Sequence, residues 1–124
     1  MELFQKTCIP CQGGVKPFSP EQAQAMKKQV HPDWDLKDDS THLTRNFRFK
    51  NFKDAMALAI KIGDIAEAEN HHPDLHISWG RLGIEITTHK IKGLVESDFI
   101  FAAKVDNAFD EFSVHGGTKS TEKV

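Results

Sequence analysis

Glu67, His71, His72 and Pro73 fall within one seven-residue stretch, and His89 stands alone on a strand-like stretch further along. Three imidazoles and a carboxylate are the groups that proton transfer requires, and little else in the chain has the look of chemistry. Histidine is the side chain whose ordinary pKa lies near neutrality, so it can give and take a proton at physiological pH. If these three histidines share a pocket, the chain is an enzyme.

Metal chemistry is the competing use for such residues. His72-Pro73-Asp74-Leu75-His76 places two histidines four apart, as zinc proteases do. However, Pro73 stands where the general-base glutamate would be, and the segment reads as strand, which separates positions 72 and 76. Cys8 and Cys11 form a C-x-x-C, a spacing that suits half a zinc site or a redox dithiol. There is no second cysteine pair to complete a zinc knuckle, and no strand–helix pattern surrounds this one. A reduced thiol pair on an N-terminal arm is the favoured reading, with His31 or His42 as remaining candidates to complete a metal site.

The elements that must position the histidines can be traced by period. Residues 1–18 hold Pro10, Gly13, Gly14 and Pro17, which is loop chemistry. Ser19 reads as a helix N-cap with Pro20 in the first turn and Gln22 closing a capping box. Ala23, Met26 and Val30 then keep one face apolar until His31-Pro32. Trp34 and Leu36 form a short strand, and Asp38-Asp39-Ser40 a turn. A half-buried strand runs from Thr41 to Phe49, with Leu43, Phe47 and Phe49 inward and Arg45 as its misfit. Phe52 to Ala68 is helical, its stripe being Phe52, Ala55, Met56, Ala59, Ile60, Gly63 and Ala66, and Asn70 suits the C-terminal end.

A hairpin follows. Leu75, Ile77 and Trp79 alternate with polar residues, as do Leu82, Ile84 and Ile86, so a two-residue turn at Gly80-Arg81 pairs Trp79 with Leu82. All six apolar side chains then share the face that covers the helices. That register, run backwards, sets His72 opposite His89, although Pro73 interrupts formal pairing. His71 and His72 are thereby expected beside His89. Lys90–Val95 is a loop, and Glu96–Phe112 a last helix with Phe101, Val105, Ala108 and Phe112 on one face. Glu96 and Asp98 lie in its first turn, at the positive end of the helix dipole.

The expected class is α+β, an antiparallel sheet of about four strands with helices on one face. One domain spans 19–113, after an arm at 1–18 that carries the C-x-x-C and before a tail at 114–124. A chain of 124 residues holds one core, and 39% apolar with 27% charged residues is ordinary for a globular protein. The net charge of −2 lacks the basic footprint of nucleic-acid binding. No apolar run approaches a membrane span, and Met1–Pro10 lacks a signal-peptide core, so the cytoplasm is the expected compartment.

Glu67 and His71, four apart at a helix end, are equally readable as an orienting pair and as a surface ion pair. His76 is expected to face solvent or Glu85 across the hairpin. His31, His42 and His115 read as ordinary surface residues.

Glu67, then His71-His72-Pro73, the aromatic Trp79, His89 and Asp98 resemble, at matching spacing, the signature of the pterin-4a-carbinolamine dehydratases. The similarity runs from about Trp34 to Phe112. Val95 departs from it, standing where many members carry a Ser or Thr helix cap, a difference of about 1 kcal/mol. The resemblance implies a hydro-lyase acting on 4a-hydroxytetrahydropterin to give quinonoid dihydropterin and water, with no metal and no cofactor beyond the pterin substrate. It implies catalytic His71, His72 and His89. His71 and His89 share the acid and base roles and His72 holds the pterin. Glu67, Thr87, Thr88 and Asp98 bind or support. A homodimer or homotetramer and a functional link to an aromatic amino acid hydroxylase are further implications. The alternatives are a non-catalytic dimerisation cofactor of a transcription factor and a dehydratase-like role in molybdopterin metabolism.

Overall fold

A computed structural model describes residues 2–8 and 16–114. Helix α1 (Pro20–Lys27) precedes strands β1 (Asp35–Lys37) and β2 (His42–Arg48). Helix α2 (Phe52–Glu69) leads to strands β3 (Asp74–Ser78) and β4 (Arg81–Ile86), and helix α3 (Glu96–Val114) ends the domain. Single 3₁₀ turns lie at Leu3–Gln5 and His89–Ile91. The four strands form one antiparallel sheet in the order β1-β2-β4-β3. This is the α+β arrangement expected from the pattern.

Helix starts follow the local chemistry. Ser19 Oγ accepts the Gln22 amide and the Gln22 side chain accepts the Ser19 amide, the reciprocal box expected at α1. The helix is shorter than its apolar pattern, because successive three-residue turns carry the chain from Lys28 to Val30. At α2 the cap is Asn51, whose side chain accepts the Asp54 amide at 2.7 Å. Asn70 closes α2 in the left-handed conformation (φ 51°).

Three expectations are corrected by packing. The buried stripe of α2 is Ala55, Leu58, Ala59, Ile62 and Ala66, while Phe52 and Ile60 are exposed. Both stripes satisfy the helical period, and only the sheet decides which one it covers. Arg45 is not a misfit. It lies on the core face, stacked 4.3 Å from the Phe47 ring centroid and paired with Asp106 of α3. Trp34, placed in β1 by its alternation, is buried just before that strand and donates its indole N–H to the same carboxylate at 2.7 Å.

The hairpin register is a fourth correction. Ser78 pairs with Arg81, so the turn is Trp79-Gly80 rather than Gly80-Arg81. Gly80 has φ +73°, and a Cβ there would lie 2.9 Å from the Phe49 carbonyl oxygen. The Phe49 amide donates to the Gly80 carbonyl at 2.8 Å, which pins the glycine in the second turn position. The slip preserves the faces, so Leu75 meets Ile84 and Ile77 meets Leu82. Trp79 is expelled into the turn at 73% exposure. His76 consequently lies opposite Gly83 rather than Glu85, and is exposed.

The core lies between the sheet and the helices, around Trp34, Leu43, Leu58, Ile62, Leu82, Ile86, Phe99 and Phe101. Residues Phe99–Ala103 of α3 are all buried. Among the described residues, no helix is long and apolar enough to cross a membrane.

Candidate functional site

The cleft beside the ends of α2 and β4 arises from three interruptions of regular structure. Asn70 turns the chain out of α2, and the His71 amide folds back to the Ala66 carbonyl at 3.1 Å. Pro73 holds the next residues out of the ladder, so β3 begins only at Asp74. On the far side β4 ends at Ile86. His89 therefore lies in a 3₁₀ turn and not on a strand, as its alternation had implied. Thr88 and Gly93 exchange backbone hydrogen bonds that close this loop, and Lys92 at its end has φ 53°.

Asn70, His71, His72, Thr87, Thr88, His89 and Lys90 line a cleft of about 360 Å³. The expected neighbourhood of the three histidines is present, although by a different register. Continuing the observed pairing sets His72 level with Thr87, and the loop after Thr88 brings His89 to the cleft. Asn70 and Lys90 are additional lining residues that periodicity could not select.

The carboxylates are distributed differently from the expectation. Asp98, not Glu67, holds His71, with Nε2 and Oδ1 2.7 Å apart. Glu67 pairs with His72 at 2.6 Å, between side chains that are 79% and 56% exposed respectively. The spacing argument for Glu67 and His71 assumed that the helix continues, and the left-handed Asn70 ends it before His71.

Asp98 is fully buried and has three partners. Its Oδ2 accepts the Thr88 hydroxyl and the Val95 amide, both at 2.8 Å, while Oδ1 faces His71. The Val95 bond is one half of a capping box, whose other half a Ser or Thr cap would supply. Val95 precedes the helix, and Asp98 in the first turn reaches back to its free amide as the glutamate of a capping box does. A carboxylate without a proton can only accept, and opposite one the His71 ring would carry its proton on Nε2 and keep Nδ1 as the other nitrogen. The ring also lies 5.8 Å from that of Phe101, between centroids.

The threonines brace the site. Thr87 donates to the Thr41 carbonyl at 2.6 Å and Thr88 to Asp98, so both hydroxyl protons are committed within the protein. His72 and His89 are exposed at the cleft, whereas His71 is half-buried. His31 and His42 lie outside it. His42 contacts the Thr41 hydroxyl at 2.7 Å, and His31 accepts the Asp33 amide at 3.0 Å. His115 and Cys11 lie outside the described residues. Cys8 is buried, donating to the Ser97 carbonyl at 3.5 Å, and burial pushes its thiol up to about 12 with the Glu69 carboxylate as the next cause.

A larger groove of about 460 Å³ between α2 and α3 is lined by Phe4, Lys61, Asp64, Glu69, Lys104 and Glu111 among others. It has no imidazole and its charges are opposed across it, so proton-transfer chemistry favours the smaller cleft.

The family model described as Pterin 4 alpha carbinolamine dehydratase matches residues 16–108. A relative from Rubrobacter xylanophilus is 50% identical over 105 residues, covering 85% of this chain and 96% of that protein. One from Methylococcus capsulatus is 53% identical over 104 residues, covering 84% and 90%. Both names give the pterin-4-alpha-carbinolamine dehydratase activity provisionally. Among solved structures, the chain is similar to a transcriptional coactivator/pterin dehydratase from Brucella melitensis. The TM-score is 0.69 at 24% identity, over 75% of this chain and 98% of that one. A pterin dehydratase-like protein identified as a RuBisCO assembly factor in the alpha-carboxysome has TM-score 0.54 at 20% identity, over 63% and 90%. These two likenesses speak to the fold alone.

Proposed function

Because the chain belongs to the pterin 4 alpha carbinolamine dehydratase family, we propose that it eliminates water from a 4a-hydroxytetrahydropterin at the histidine-lined cleft. The observation that carries the proposal is the His71–Asp98 hydrogen bond in the cleft that His72 and His89 also line. The N5 lone pair expels the C4a hydroxyl as that group takes a proton, and loss of the N5 proton completes a C4a–N5 double bond. Water and the quinonoid dihydropterin are the products. The protein need supply only one acid and one base, an effect typically of about 10²–10⁴-fold.

In this reading His71 and His89 carry the two proton transfers. His71 is fixed in ring orientation and tautomer by Asp98. His72, held by Glu67 at the rim, bonds the pterin. Thr87 and Thr88 keep the His89 loop closed. No metal enters the reaction, and the active form is a homodimer or homotetramer. The test is the decay of freshly generated 4a-hydroxytetrahydropterin with wild type, His71→Ala and His89→Ala. Either substitution should collapse turnover far more than pterin affinity, and near wild-type turnover in either variant overturns the role assignment.

A protein-binding role is the second reading. Trp79, Ile60 and Phe52 are exposed apolar side chains, at 73%, 61% and 47%, of the kind that partners cover. A pure interaction module would show no acceleration over the spontaneous decay.

A further inference from the structure

Residues 2–8 precede the segment matched by the family model, yet they join the two elements that carry the His71–Asp98 pair. On one side, the Cys8 amide donates to Glu69 Oε1 at 2.8 Å. Glu69 is the last residue of α2, two positions before His71. On the other side, Lys6 Nζ lies 3.1 Å from Glu96 Oε2, and the Cys8 thiol donates to the Ser97 carbonyl. Glu96 and Ser97 open α3 immediately before Asp98.

Lys104 of α3 ties the arm again. It donates to the Phe4 carbonyl at 2.7 Å and lies 3.8 Å from Glu69 Oε2. Leu3 and Cys8 are buried in the same contact. The arm thus spans the seam between the end of α2 and the start of α3, within three residues of each half of the pair.

We propose that residues 2–8 are a clasp that sets the spacing between α2 and α3 and thereby the His71–Asp98 bond. Glu69, Cys8 and Lys6 are positioning residues in this role. Glu69 is the hub, since its two oxygens meet the arm and α3 separately. The two halves of the pair come from segments that end in a left-handed turn and begin at a helix terminus. Neither is a strand held in the sheet ladder, so a bridge across both adds a tie to their separation beyond the core packing. A displacement as small as 1 Å at a catalytic group can cost about 100-fold in rate.

The activity consequence rests on the proposed dehydratase function, whereas the clasp itself can be read without it. The experiment is ¹⁵N-edited NMR of the His71 imidazole, following exchange of the Nε2 proton with solvent. It is run on the full chain, on Glu69→Ala, on Glu69→Gln and on a chain lacking residues 1–8. Glu69→Gln keeps an acceptor for the Cys8 amide and gives up only the longer 3.8 Å contact with Lys104, which still donates to the Phe4 carbonyl of the arm, whereas Glu69→Ala removes both ties of Glu69. Exchange should accelerate on the order of tenfold in Glu69→Ala and in the shortened chain, and stay near wild type in Glu69→Gln. Pterin turnover, measured alongside, should show kcat reduced about tenfold in Glu69→Ala with KM within about twofold. If the shortened chain does not fold, Glu69→Ala decides alone. Unchanged exchange in folded Glu69→Ala overturns the clasp, as does equal acceleration in Glu69→Gln. Absence of turnover in wild type would count against the dehydratase reading and leave the exchange result to judge the clasp.

Discussion

Replacing Asp98 separates its structural work from its work on His71, because its two oxygens have different partners. Oδ2 serves Thr88 and Val95, and Oδ1 serves His71. Asp98→Ala strands a buried hydroxyl, a half-buried backbone amide and the His71 N–H. Each stranded group costs about 1–3 kcal/mol, the half-buried ones at the low end. The total is about 3–6 kcal/mol, a large share of the roughly 5–15 kcal/mol that holds a domain of this size. Asp98→Asn is different. Its amide oxygen can keep both Oδ2 bonds, so the loss is about 1 kcal/mol. Its NH₂ then faces His71 Nε2 and can be satisfied only if that nitrogen gives up its proton. The tautomer reverses, and with it the nitrogen available for exchange. Urea denaturation should find Asp98→Asn close to wild type and Asp98→Ala far below it. Initial rates of carbinolamine decay should fall about 10²–10⁴-fold in Asp98→Asn. Wild-type rates in that variant, or equal destabilisation by both changes, would refute the reasoning.

The remaining predictions concern stability. Asp106→Ala, which leaves the Arg45 guanidinium buried without its carboxylate, should cost about 3–5 kcal/mol by urea denaturation. Arg45→Met should be costlier at pH 7 than at pH 5, because burial raises the Asp106 carboxyl above its ordinary value, against the pull of the His31 amide, Arg45 and the Trp34 indole. The Cys8 thiol is raised from 9.0 to about 12, so the stability linked to its protonation is complete below pH 9 and is lost as pH rises toward 12. Between pH 9 and pH 10.5 wild type should therefore lose about 2 kcal/mol more than Cys8→Ser, and parallel curves would contradict the burial of that thiol. Gly80→Ala forces a Cβ against the Phe49 carbonyl at positive φ and should cost about 1–3 kcal/mol in the same assay.

Much of this architecture was legible where local chemistry acts alone. The Ser19 box, the Asn70 stop and the alternation of Leu75–Ile77 and Leu82–Ile86 required no tertiary information. The fold class and the gathering of His71, His72 and His89 followed from them. The rest depended on contacts distant in sequence. Which stripe of α2 is buried depends on the sheet, since Met56 and Ile60 satisfy the helical period as well as Leu58 and Ile62 do. The turn at Trp79-Gly80 was decided by the Phe49 amide, which lies outside the hairpin. Arg45 could not be placed without Asp106, sixty-one positions away. The partner of His71 was misread because a left-handed residue breaks helical spacing, and Asp98 lies twenty-seven positions downstream. No periodic signal marks the docking of residues 2–8.

The central claim is histidine acid–base catalysis in the cleft, and the decay of 4a-hydroxytetrahydropterin followed by ultraviolet absorbance tests it most directly. The account predicts acceleration by the purified protein that persists in chelator and is lost in His89→Ala. Decay no faster than the spontaneous rate, or acceleration that survives His89→Ala unchanged, would contradict it.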